Sequence, residues 1–499
     1  MPALAGAPSN APKMEHLMTS PTTQSMTNTS APKHSSLWYL STAPIVRALI
    51  HLCVPMAMAL MITAVYNLIN AGVVGSLHDT ALLAAITFGS PLLVLVMAIG
   101  SVFGTGGGAF ISRLLGAAQK QPAQASEIKH VASFSVWGAV ISGAFVGGLG
   151  LIFLRPLVSL LGADSDAAPA TTAFVGVMLA FVPILAAAFC LEQLVRAEGA
   201  ARQVMIGLIG STVASLVFDL VFIVGLRWGV AGAALSMGLA NLGVVVYFVT
   251  WLTRNSEHMS VAPRWFTLRP AVLKPVLGVG ASTLLQSIFL IVTALVLNNL
   301  AAAYGDGPLA AMGVAVRIAQ VPEFLLMGVS LGILPLLAYS FGRGDRDRLF
   351  SALRASVVTV GGIGLLFSVV VFVFRDQVFA GFVHDETVLS IGVTVLTAQL
   401  VAMIANGFTG LITSLFQATG QALAATVMSV TQGILFVPIV LLGNLWFGLG
   451  GIIWSLTATE TLVLVAGLVM WLASRRAIDR GLAEGDPEAP EEPLATFEG

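Results

Sequence analysis

Twelve stretches of predominantly apolar residues follow one another along this chain. Each has the roughly 20 residues that an α-helix needs to cross a bilayer. They cover residues 46–70, 81–111, 130–154, 170–194, 204–226, 231–252, 276–299, 309–338, 355–374, 387–412, 421–443 and 448–472. Hydrocarbon offers the backbone no hydrogen-bond partner, so spans of this length fold as helices. The predicted fold class is an all-α polytopic membrane protein. Composition agrees, with 57% of 499 residues hydrophobic and 9% charged, far from the mix of a soluble domain. Trp38, Trp228, Trp251, Trp265, Trp446 and Trp471 lie at or near span ends, where an amphipathic ring suits the headgroup zone.

Basic residues set the orientation. With both termini inside, that side receives nineteen Lys and Arg, the outside receives Arg155, Arg227 and Arg375, and Arg317 lies within a span, which accounts for all 23. This bias predicts cytoplasmic termini in a cell (inner) membrane. A net charge of -1 gives no reason to expect a nucleic-acid partner. Residues 1–40, rich in Ser, Thr, Pro, Ala and Met, lack the apolar core of a cleavable signal and are expected to form a disordered cytoplasmic tail. The acidic, proline-bearing residues 477–499 are expected to form another. The match to a glycosylation acceptor at Asn28 means nothing in such a tail.

The chain also repeats itself. Shifted by 226 positions, "IHLCVPMAMALMITAVYN" aligns with "VLGVGASTLLQSIFLIVT", Gly106 with Gly332 and Gly116 with Gly342. At an offset of 221, Asp164 matches Asp385 and "RAEG" from Arg196 matches "QATG" from Gln417. "GVAGAALS" from Gly229 matches "GLGGIIWS" from Gly448. Six spans per unit is an even number, so the units are related by a pseudo-two-fold axis along the membrane normal, around a central cleft. The expected organisation is a six-helix bundle over 41–254, a cytoplasmic linker over 255–275 and a second six-helix bundle over 276–476.

Apart from Arg47 at the inner edge of the first span, the charged residues within the spans are Glu192, Asp219, Arg317, Glu323 and Glu460. An ionised carboxylate at the bilayer centre costs about 2.5–3.5 kcal/mol on insertion scales, so each should face a cavity or a partner. Asp219 stands in "STVASLVFDLVFIVGL", about seven residues or roughly 10 Å from the outer end of the fifth span. If a moving cleft wets it in one conformation alone, its proton occupancy is tied to conformation. The alternative is a structural acid bonded to Ser215 or Thr212. Arg317, Gln320 and Glu323 recur every third residue on one face of the eighth span, with Pro322 breaking the backbone beside the acid. They line the cleft or form a self-neutralising Arg317–Glu323 pair. Glu192 assists coupling or pairs with Arg196 four residues on. Glu460, beside Thr457 and Thr459, is a further cleft candidate.

Met61, Tyr66 and Phe181 are candidates to line a permissive apolar pocket, with core or lipid packing as the competing role. "GTGGGAF" from Gly104 has no following lysine and lies in a span, where small residues serve close helix packing rather than phosphate binding. The seven histidines show no metal-ligand spacing. Cys53 and Cys190 lie in apolar spans and suggest neither a metal site nor a disulfide framework. An enzyme or sensor would show clustered His or Asp motifs at one interface or a soluble output domain, and neither occurs.

Between Leu40 and Arg476 the chain resembles the multidrug and toxic compound extrusion (MATE) transporters, bacterial multidrug branch. The stretches are "YNLINAGVVG", "GGGAFISRLLG", "EQLVRAEGAARQVM", "FDLVFI", "GVAGAALS", "RIAQVPEFLLMG", "PLLAYSFG", "FQATGQ" and "GGIIWS". The resemblance implies export of bulky cationic or amphipathic compounds in exchange for H+ or Na+, by alternating access between two bundles, without a cofactor. Asp219 matches the family's fifth-helix acid in its "N-x-x-x-D-P-x-x-I" pattern, with Ser215 at the first position and Leu220 in place of proline. Asn70 stands where many members carry a first-helix acid, which removes one expected sodium ligand. The expected coupling set is therefore Asp219, Ser215, Asn70 and Glu192, with H+ favoured. The expected cleft set is Glu323, Arg317, Gln320, Glu460, Met61, Tyr66 and Phe181. Expected partners are small-molecule drugs, organic cations and membrane lipids, with the protein a monomer. A flippase for lipid-linked sugars is the rival; it would prefer a strongly basic cleft, and away from the span ends Arg317 is the one basic residue.

Overall fold

The computed structural model describes residues 36–76, 80–160, 168–375, 377 and 386–484. Asp164, Asp385, most of the first expected tail and residues 485–499 lie outside them. Among the described residues, twelve helices are long and apolar enough to cross a membrane. They are α1 (Ile45–Ser76), α2 (Thr80–Ala117), α3 (Ala125–Ile152), α4 (Ala168–Ala197), α5 (Ala201–Asp219), α6 (Gly229–Asn255), α7 (Pro270–Ala302), α8 (Asp306–Arg343), α9 (Arg346–Val373), α10 (Glu386–Ala418), α11 (Ala422–Phe447) and α12 (Leu449–Glu484). Interior prolines such as Pro183, Pro322 and Pro438 are carried within them, since packed neighbours can satisfy the backbone groups that proline frees.

The pairing of helices reproduces the repeat. In the first half α2 packs on α4, α4 on α3 and α6, and α5 on α1 and α6. In the second half each pair recurs six helices on: α8 with α10, α10 with α9 and α12, and α11 with α7 and α12. The contacts between halves obey the same rule, with α1 on α8 answered by α7 on α2, and α2 meeting α8.

Glycines set these crossings. Gly106 of α2 meets the Val276 backbone of α7, while its repeat partner Gly332 of α8 meets the Leu52 and Cys53 backbone of α1. Near the basic ends of α2 and α8, Gly116 lies against the Tyr339 carbonyl and Gly342 against the Arg113 carbonyl. A Cβ at any of these four positions would enter a neighbouring backbone, so the absence of a side chain is what lets the helices meet. The basic end is thereby closed by direct contact of α2 with α8.

Two expected boundaries are corrected. Residues 477–484 continue α12 instead of opening a disordered tail: Ile478 and Leu482 are buried, Gly481 packs on Phe341, and Asp479 pairs with Arg346 at 3.2 Å. This extension is amphipathic, with Asp479 and Arg480 on it, and its apolar face has a surface to cover. Likewise Ser36–Ser41, of which residues 36–40 fall in the expected disordered tail, form a short helix with Leu40 fully buried.

Candidate functional site

Asp219 is the last α-helical residue of α5, and the chain continues as a π-helical turn over Leu220–Gly225. Such turns insert one extra residue and are frequent at functional sites. The carboxyl is 7% exposed. The Tyr66 hydroxyl of α1 donates to its Oδ2 at 3.4 Å, and Ser236 of α6 lies beside it, with its hydroxyl donating to the Gly232 carbonyl of its own helix at 2.9 Å. Ser215, one turn before Asp219 and 6% exposed, is within reach of the Tyr66 hydroxyl. Three helices of the first half thus converge on one acid. The Thr212 hydroxyl donates to the Leu208 carbonyl of its own helix. The side chain of Asn70 lies outside the described residues.

Glu192 does not join this group. It receives a 3.0 Å ion pair from Arg196 on the same helix. Arg196 is 1% exposed and borders a cavity of about 10 Å³ among Thr105, Ser112, Gln193 and Pro335, between α2, α4 and α8.

In the second half Arg317 and Glu323 are exposed and Gln320 is half-buried, all on a face of α8 turned away from its packed core. No ion pair joins Arg317 to Glu323 among the described residues, so the self-neutralising alternative is not formed. Charges on this face would be costly against hydrocarbon, and an aqueous cleft is what such a face suits. Glu460 of α12 is instead 3% exposed, with Gln432 of α11 donating to its Oε1 at 2.6 Å. Met61 is half-buried. Phe181 packs between α4 and α6, its ring filling the space above Gly238, and belongs to the core of the first half.

The closed end carries a feature that charge counting did not reveal. Arg348, at the start of α9, donates through Nε to the Leu40 carbonyl at 2.8 Å, through Nη1 to Ala43 at 2.9 Å and through Nη2 to Tyr39 at 2.9 Å. Arg343 adds a bond to the Ser41 carbonyl at 3.1 Å. Two arginines of the second half therefore hold the end of the short helix that precedes α1. That helix covers the α4–α5 turn, where Gly199 meets the Ser36 carbonyl and Leu40. Beside Gly199, Glu198 is 7% exposed and receives a hydrogen bond from Ser256 at the end of α6. Burial pushes its carboxyl up to about 7. In the matching α10–α11 turn the guanidinium of Arg113 packs against Gly420.

Among the described residues no group of three or more His, Cys, Asp or Glu could hold a metal ion. The family model for MatE matches residues 55–221 and again 279–442, once in each half. The chain belongs to the MATE family of transporters. It is a transporter of that family and not an enzyme. It is 31% identical over 456 residues to the multidrug export protein MepA of Staphylococcus aureus strain MRSA252, covering 91% of this chain and 100% of the relative. The MepA of Staphylococcus saprophyticus is 32% identical with the same coverage. Among solved structures, a MATE in complex with MaL6 superposes with a TM-score of 0.82 at 21% identity, covering 89% of this chain and 99% of the other. A MATE transporter described as outward-facing superposes at 0.81 and 20%, again covering 89% and 99%.

Sequence reading missed Ser236, the π turn and the short helix with its arginines. Ser236 sits in "GVAGAALS", a run of small residues that reads as packing. Leu220 following Asp219 removes the proline that would mark an irregular backbone.

Proposed function

We propose that this protein is a secondary active exporter of cationic or amphipathic drugs, coupled to inward movement of H+ at Asp219. One observation carries the reading: a carboxyl buried within a span, bonded by a phenol from α1 and flanked by Ser215 and Ser236, at an irregular turn of the helix that bears it. A carboxyl in such a place gains or loses a proton when its hydration changes, and a helix with a π turn has slack to respond. Relatives named multidrug export proteins over nearly the same length support the substrate class. The spread of Lys and Arg supports cytoplasmic termini in the cell membrane.

In this cycle the cleft opens first toward the cytoplasm, and a cationic drug enters between a first bundle over 41–254 and a second over 276–476. Glu323 attracts it on the exposed face of α8, with Gln320 and Arg317 beside it. The bundles then rock, the basic end closes as α2 and α8 meet, and the cleft opens outward. Protonation of Asp219 in that state weakens the hold on the cation and releases it. Drug and proton must bind the two conformations unequally, since equal binding shifts nothing. Sodium could serve at the same carboxylate with Ser215 and Ser236 as co-ligands.

The test is ethidium transport by the full chain in proteoliposomes, with proton and sodium gradients dissipated separately. Collapse of the proton gradient should stop transport and collapse of the sodium gradient should leave it intact. Asp219→Asn should reduce transport to the level of empty vesicles. Parental transport in that variant would refute the role given to Asp219.

A further inference from the structure

In the first half the coupling acid lies between the fifth and sixth helices, on α5, facing Ser236 of α6. The repeat maps these helices onto α11 and α12. There the second half also holds a buried acid, but on the other member of the pair: Glu460 of α12, faced by Gln432 of α11. Shifted back by 219 positions Glu460 falls on Asn241, whose amide donates to the Met237 carbonyl of its own helix. The acid has therefore changed helix between the repeats while the helix pair that houses it has not.

The surroundings of Glu460 leave part of it unserved. Gln432 donates to Oε1, while Oε2 is buried with no hydrogen-bond partner among the described residues. The carboxyl of Glu323 on α8 lies within electrostatic reach. The other helices packed on α12 supply no charge at this depth, for α11 has no titratable residue, and Lys274 of α7 and Glu386 of α10 lie near their helix ends. Arg317 lies six residues before Glu323 on α8 and pairs with neither acid among the described residues. A carboxylate with one donor, near a second carboxyl and inside the membrane, lacks the compensating positive charge that such burial requires.

We propose that Glu460, with Gln432 as its fixed donor and Glu323 as its neighbour at the cleft, is a second monovalent-cation site, so that each half of the transporter carries one. Its chemistry is a carboxyl oxygen free to take H+ or to ligate Na+. Glu323, on the exposed face of α8, connects it to the cleft. The inference rests on the reading of the chain as an ion-coupled transporter, but its occupancy is measured without transport.

The full chain in lipid vesicles is titrated with acid and base while the infrared carbonyl stretch of protonated carboxyls is followed, in choline chloride and again in sodium chloride. The expected result is a titrating component that is lost in Glu460→Gln, kept in Asp219→Asn, and shifted in Gln432→Leu because the donor to Oε1 is gone. If that component is indifferent to sodium, the occupant is a proton; if sodium bleaches it at constant pH, the occupant is sodium. Either result supports the site. A Glu460→Gln protein of unchanged elution and thermal midpoint that keeps every component in both salts would overturn it. Should that variant fail to fold, absence of any shift in Gln432→Leu would overturn it equally. The reading of Asp219 fails by a different measurement, ethidium transport, so the two failures cannot be confused.

Discussion

The halves of this protein agree in their helix contacts and disagree in their charges. Every major pairing in residues 45–255 recurs six helices later, and Gly116 and Gly342 mirror one another where α2 meets α8. The acids do not follow that symmetry: Asp219 sits on α5 and Glu460 on α12. Nor do the covers of the two equivalent turns. The one at Gly199 is roofed by the short helix of residues 36–41, and the one at Gly420 by the Arg113 guanidinium. Backbone contact in a membrane bundle depends on small residues at fixed crossings and tolerates little change. A polar group needs a partner and can move to another helix that offers one. The scaffold therefore records the duplication, and the charges record what each half came to do.

The symmetric part is the hardest to perturb without damage. Gly116→Leu and Gly342→Leu each drive a side chain into an opposing backbone and should each cost about 3 kcal/mol, read as a fall in thermal midpoint. If the contact is one reciprocal unit, the costs should be alike and the double variant should lose less than their sum. Strongly unequal costs would break the comparison.

Next in size is Arg348→Ala, which removes three bonds from a charged donor and has no counterpart in the first half, where position 122 is a proline. A loss of about 2 kcal/mol is expected. A thiol reagent should label Ser36→Cys faster in the Arg348→Ala background, whereas unchanged labelling would show that the short helix is held by other contacts. Ser236→Ala tests the acid site more gently. Losing one hydroxyl beside Asp219 should cost about 1 kcal/mol, read as a shift of roughly fivefold in the proton concentration that half-saturates ethidium transport.

The smallest effect separates the equivalent turns. Glu198 has an uncharged counterpart in Thr419, whose hydroxyl donates to the Leu415 carbonyl. Burial raises the Glu198 carboxyl from 4.5 to about 7, so the folded protein binds more protons there than the unfolded chain does. Its contribution is present below the lower value and is lost as pH rises toward the upper one. Glu198→Thr should remove that slope from the thermal midpoint between pH about 4.5 and about 7. A slope that survives would assign the pH dependence to another group.

Much of this was legible from sequence because the bilayer permits so little else. Apolar length gave twelve helices, and the isolated acid in "VFDLVF" marked Asp219. The glycine matches at 106 and 332, and at 116 and 342, located crossings that later proved to be contacts. What stayed hidden depends on three-dimensional neighbours. Tyr66 reads as a cleft-lining aromatic, and its bond to Asp219 is visible only once α1 is packed on α5. Arg348 reads as one of nineteen inside charges, because a bond to main-chain carbonyls leaves no mark on the sequence that supplies them. The helix of residues 36–41 is shorter than the compositional bias of the segment around it.

Gly116 meets the Tyr339 carbonyl of α8 and Gly342 meets the Arg113 carbonyl of α2, so the operation that swaps the halves returns the same pair of contacts. Such a join has no first half to release: parting at one glycine is parting at the other. A seal built this way moves as a single latch, with neither half able to open ahead of the other.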